Sequence, residues 1–109
     1  EGGQRGSVVT LTDAATIAID MDDGNNFVVT LGDSRTLGSP SNLTAGQSGI
    51  IEVRQDATGS RTLAYHADWL FAGGTAPVLT TTASAVDLLA YYVDSLGNPV
   101  IGMAEQDYQ

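Results

Sequence analysis

Between residues 8 and 104, short stretches in which every second residue is apolar alternate with clusters of Gly, Asp, Asn, Ser and Thr. That period of two, broken by turn-forming residues, predicts half-buried β-strands. Val9 and Leu11 share one face of a first strand, Ala15, Ile17 and Ile19 one face of a second, and Phe27, Val29 and Leu31 one face of a third. Residues 20–26, Asp-Met-Asp-Asp-Gly-Asn-Asn, accept left-handed backbone angles and predict a hairpin between the second and third strands. A brief strand over residues 34–37 leads into a loop at 38–42. Ile51 and Val53 then oppose Glu52 and Arg54 over residues 50–55, a strand expected at the centre of a sheet.

Residues 86–93 are apolar on both faces. Val86, Leu89, Ala90 and Val93 also fit helical spacing, but Tyr91, Tyr92 and Val93 favour extended structure. The reading is therefore a strand paired through the loop 94–98 with residues 99–104. A strand apolar on both sides is expected between two layers, either two sheets or a sheet and another subunit. The echoes of residues 8–11 in 28–31 and of 34–37 in 60–63 are too short and unevenly spaced to establish a repeat. Together these segments predict an all-β fold, a small antiparallel β-sandwich or jelly-roll. Residues 1–6 form a glycine-rich lead or the end of a preceding segment, and residues 7–109 one β domain.

A chain of 109 residues suits one core. There is no cysteine, so neither disulfides nor thiolate metal sites contribute. Thirteen acidic residues against four arginines give a formal charge of −9, which repels phosphates and anionic surfaces, so neither nucleic acid nor membrane is an expected partner. No apolar run approaches the roughly 20 residues of a membrane span. Lysine, a common guard of sheet edges, is missing altogether; aspartate or a neighbouring chain must guard them instead.

Asp20, Asp22 and Asp23 offer hard oxygen ligands of the calcium type. Gly24 comes one position early for a calcium loop, and the twelfth position from Asp20 is Leu31 where glutamate is needed, so a solvated turn is the expectation. His66 with Asp68 and the upstream Ser60 has triad composition without a strained nucleophile turn or an oxyanion hole. Choosing two glycosidase carboxylates from thirteen acids is arbitrary. No enzyme activity and no cofactor is expected. Tyr65, Trp69 and Phe71 share one face if the backbone is extended, and with His66 and Asp68 could stack on a sugar. If Trp69 and Phe71 plug the core instead, Tyr65 and His66 remain the surface candidates. Asn42-Leu43-Thr44 has the form of a glycosylation sequon, and Arg35 and Arg61 are expected to pair with nearby aspartates.

An ordered series of short pieces runs through most of the chain: Gly24-Asn25-Asn26-Phe27, Arg35-Thr36-Leu37, Gly46-Gln47-Ser48-Gly49, residues 55–63, Trp69, Gly73-Gly74-Thr75-Ala76-Pro77, and Val86-Asp87 with Tyr91. The series resembles the β domain found in tail and fibre proteins of tailed bacteriophages. The resemblance implies a virion location and a structural or host-attachment role, in a homotrimer beside other virion proteins, with no catalytic residues to carry over. A carbohydrate-binding module for a host glycan, using Tyr65, His66, Asp68 and Trp69, is the alternative.

Overall fold

The computed structural model describes residues 8–108; the lead expected at residues 1–6 lies outside them. Nine strands follow in chain order: β1 (Val8–Thr10), β2 (Thr16–Ile17), β3 (Asn26–Leu31), β4 (Arg35–Leu37), β5 (Ser48–Gln55), β6 (Leu63–Tyr65), β7 (Leu70–Phe71), β8 (Val86–Val93) and β9 (Pro99–Tyr108). They form a six-stranded sheet ordered β1-β3-β5-β8-β9-β7 and a three-stranded sheet ordered β2-β4-β6. The expected all-β character holds in this coarse sense, and β5 is central as expected.

The antiparallel expectation needs correction. β1, β3 and β5 run parallel, as do β2, β4 and β6, and β7 runs parallel to β9; only the β5–β8 and β8–β9 pairs are antiparallel. Through its first half the chain alternates between the sheets, so each pass lays a strand beside the previous one in the same direction. Parallel neighbours need a long crossover, and here the crossovers are residues 11–25 and 32–47, each containing a strand of the smaller sheet. Turn residues serve such corners as readily as they serve hairpins, so the pattern alone could not separate the two.

Residues 20–26 show the same correction locally. β2 and β3 lie in different sheets, so no hairpin joins them. Met21–Asp23 forms one 3-10 turn, capped by the Asp20 carboxylate, and drops Met21 into the core at 2% exposure. Met21 is the apolar anchor of a corner that reads as polar.

Both sheets contribute to one core cluster. Across the large sheet Val9, Phe27, Ile51, Leu89 and Met103 stand in one row by register, and Ile17, Leu37 and Tyr65 do so in the small sheet. Burying a side chain such as Phe27, Ile51 or Leu89 contributes about 1.5–3 kcal/mol. The row beside it ends on a charge: Val29 and Val53 align with Asp87, which is 2% exposed and accepts the Thr80 amide at 2.6 Å.

The echoes at residues 8–11/28–31 and 34–37/60–63 do not stack on one another. Thr10 pairs with Val28 and Arg35 with Leu63, so each echo is two residues out of register.

Candidate functional site

The aromatic corner after β6 divides into a buried and an exposed part. Trp69 is 2% exposed and its indole Nε1 donates to the Gly38 carbonyl at 2.9 Å, so it has no face to offer a ligand. The Tyr65 ring meets Phe71 edge to face with centroids 5.3 Å apart, and its hydroxyl donates to the Pro77 carbonyl at 2.9 Å. Burial, and then the nearby Asp87 carboxylate, hold the Tyr65 phenol well above its ordinary range. It is a neutral donor at any physiological pH.

His66 and Asp68 are exposed, with Nδ1 and Oδ2 3.6 Å apart. The Asp68 amide donates to His66 Nδ1 at 3.0 Å, which makes Nδ1 an acceptor and leaves the ring proton on Nε2 when the imidazole is neutral. The hydroxyl donating to Asp68 belongs to Ser39, not Ser60. Ser60 instead sits at φ 63° with its amide on the Thr81 carbonyl at 2.7 Å. In a triad the imidazole stands between hydroxyl and carboxylate, whereas here the carboxylate takes the hydroxyl directly. This arrangement activates no nucleophile.

In the acidic corner only Asp20 is engaged by its neighbours. Asp20 Oδ1 accepts the Asp22 amide and the Asn42 amide group, each at 2.9 Å, and these bonds, Asn42 first, lower the Asp20 pKa. Asp22 and Asp23 point to solvent. Among the described residues no three His, Cys, Asp or Glu side chains come together as metal ligands. The two arginines do pair with aspartates: Arg35 forks onto Asp13 at 2.8 and 3.0 Å, and Arg61 reaches Asp56 at 3.0 Å.

Two glutamines at the ends of β5 carry structural weight that sequence reading passed over. Gln47 Nε2 lies within hydrogen-bonding distance of the Met21 and Gly24 carbonyls, at 2.8 and 3.0 Å, and so ties the 21–25 corner to β5. Gln55 donates to the Arg61 and Thr80 carbonyls at 2.8 and 2.9 Å and accepts the Arg61 amide at 3.0 Å. The glycines around Gln47 were the available signal, because Gly49 lets the Asn25 carbonyl approach to where a Cβ would stand 1.8 Å away.

Two surfaces expose large apolar side chains. One is a groove of about 460 Å³ beside β6, lined mainly by Leu63, Tyr65, Phe71, Pro77, Val78 and Leu79, with no charged residue in its walls. The other is the outer face of the six-stranded sheet. Register places Val8, Ile50, Ala90, Tyr92, Val100 and Leu70 on it, and Val8, Tyr92 and Leu70 are 55%, 50% and 47% exposed. Glu52, Arg54 and Glu105 stand on the half of the face beyond Ile50, and Thr10, Asn26, Thr30 and Ser48 also lie on it. β8 is thus apolar on both sides, as expected; on its second face Val86 is buried, Leu88 and Ala90 are half-buried and Tyr92 stands open.

Compared with protein-family models, with curated proteins and with solved structures, the chain matches none.

Proposed function

We propose that this domain is a structural module of a phage-like particle, part of a tail or capsid fibre or a surface decoration, and that it works by self-association. The observation that carries the reading is the outer face of the large sheet, where Val8, Tyr92 and Leu70 stand exposed. Six strands at about 4.8 Å spacing, with central strands of eight residues at about 3.4 Å each, give a face of at most roughly 800 Å². A stable interface needs about 800 Å² from each partner. Nearly the whole face must therefore be used, which demands a partner equally broad and flat, and a second copy of the same sheet meets that demand.

Charge sets a limit on that pairing. Two chains of −9 repel wherever carboxylates meet; the rows of Ile50 and Tyr92 carry none, and Glu52 and Glu105 stand in the next row. The ordered likeness to phage tail and fibre β domains supports the virion setting; face-to-face pairing of this sheet joins two chains, so the trimer that the likeness implies needs a further surface. Two sheets sharing one core support a sandwich-like module of mixed strands.

No catalytic role is proposed. Contact with a host glycan, the alternative role, would fall to Tyr65, His66 and Asp68, because Trp69 is withdrawn; unchanged glycan binding in His66→Ala/Asp68→Ala would dispose of it.

The test is native mass spectrometry of the wild type and of Ile50→Lys/Tyr92→Glu. Both positions point outward, so the variant should keep the fold, checked by circular dichroism, and lose the oligomer. A wild type that stays monomeric at every concentration would overturn the reading.

A further inference from the structure

The groove beside β6 has a property that its apolar lining does not reveal: one wall is an open strand edge. In parallel pairing alternate residues of a strand turn both backbone groups toward the neighbour. The Arg35 amide donates to Thr62 O at 2.9 Å and the His66 amide to Leu37 O at 2.9 Å. Ala64, between them, therefore faces β4, and Leu63 and Tyr65 direct their N–H and C=O groups the other way. β6 is the last strand of its sheet, so among the described residues no strand meets those groups. The opposite wall is the segment 76–81, whose Pro77 carbonyl accepts the Tyr65 hydroxyl.

We propose that this groove binds an extended peptide segment of another protein, which adds to β6 as a fourth strand of the small sheet. Leu63 and Tyr65 exchange backbone hydrogen bonds with it, and its alternate side chains settle against Tyr65, Phe71, Pro77 and Leu79. This is recognition by strand addition, in which the backbone supplies affinity and the pockets supply specificity. The volume of about 460 Å³ lies within the roughly 300–1,000 Å³ usual for ligand sites. Because the walls are uncharged in a chain of net charge −9, the segment is apolar and neutral or basic, and an acidic one is repelled at long range. Val78, 75% exposed on the rim, is the first side chain it covers. This site is separate from the outer sheet face and does not depend on self-association there.

The probe is the synthetic peptide Arg-Thr-Val-Thr-Val-Thr-Val-Arg, titrated into isotope-labelled full chain and followed by amide NMR and hydrogen exchange. The expected result is saturable shifts centred on residues 62–65 and 76–79, with exchange at the Leu63 and Tyr65 amides slowed at least tenfold. The same peptide methylated on alternate backbone nitrogens keeps every side chain and loses donors, and it should bind at least tenfold more weakly. An absence of shifts at those residues with about 1 mM peptide, or equal binding of the methylated peptide, would overturn the proposal. Protection of the two amides without peptide, growing with protein concentration, would assign the edge to a second copy and overturn it equally.

Discussion

Replacing Gln55 by Met tests whether the ends of β5 are pinned by buried hydrogen bonds rather than by apolar packing alone. Gln55 is 5% exposed and serves three backbone groups: Arg61 O at 2.8 Å, Thr80 O at 2.9 Å and Arg61 N at 3.0 Å. Methionine keeps the length and the unbranched shape of the side chain and removes all three bonds. A buried polar group left without a partner costs about 1–3 kcal/mol. Arg61 is half-buried, so water reaches part of what is exposed and the low end applies, about 1 kcal/mol for each group and about 3 kcal/mol in all. Domains of this size are stable by about 5–15 kcal/mol, so the loss is a large fraction. It corresponds to a fall in Tm of about 12 °C or more. Urea unfolding followed by the fluorescence of buried Trp69 and by circular dichroism measures it. Gln106→Met is the control, since that amide reaches Val78 O at 3.1 Å on the surface and should change stability by less than about 0.5 kcal/mol. A Gln55→Met protein within about 1 kcal/mol of wild type, with the same denaturant slope, would refute the reasoning.

Gly49→Ala should destabilise by about 3 kcal/mol or more in the same assay, because the new Cβ would stand 1.8 Å from the Asn25 carbonyl oxygen, a backbone atom that cannot rotate away; a loss under about 1 kcal/mol would contradict the close approach. Ser39→Ala should change stability by less than about 0.5 kcal/mol, since its bond to Asp68 is exposed; a larger loss in the urea assay would mean that corner bears structure. The pH profile of Tm should fall on both sides. Hydrogen bonds lower the pKa values of Asp13, Asp56 and Asp94, from Arg35, Arg61 and the Asn98 amide respectively, so their stabilisation is present above the unfolded aspartate value near 4 and is lost as pH drops below it. Burial raises Tyr65 and Tyr91, so their stabilisation is present below the unfolded tyrosine value near 10 and is lost as pH rises above it. A Tm unchanged between pH 5 and pH 2 would show that the carboxylate bonds contribute nothing.

Where strands lie was legible in the sequence, because alternation records burial directly: Phe27, Val29 and Leu31 alternate in sequence and all three reach the core. How strands pair was not. Residues 20–26 and 94–98 are both rich in Asp, Asn and Gly, yet the second joins antiparallel β8 and β9 while the first turns a corner between sheets. Nor does an apolar side chain in the turn separate them: the corner has Met21, 2% exposed, and the hairpin has Leu96, 85% exposed. The arginine pairs were legible in kind, but Arg35 takes Asp13 from a strand connection 22 residues away, a partner only the fold supplies. Gln47 and Gln55 escaped notice because a glutamine beside a turn reads as surface, and only the converging carbonyls show otherwise. The aromatic corner was half legible: the shared spacing of Tyr65, Trp69 and Phe71 is real, but whether each faces core or solvent depends on the turn at residues 66–69, where the Trp69 amide bonds back to the His66 carbonyl at 3.0 Å.

The central claim is that the outer sheet face joins copies of this chain, and analytical ultracentrifugation over a hundredfold concentration range at low and high salt tests it most directly. The account predicts a discrete oligomer that tightens with salt, because salt screens the repulsion between chains of −9 and leaves the apolar contact intact. A monomer at all concentrations in high salt would contradict it, and an oligomer that dissolves as salt rises would show that charged surfaces, not the sheet face, hold the copies together.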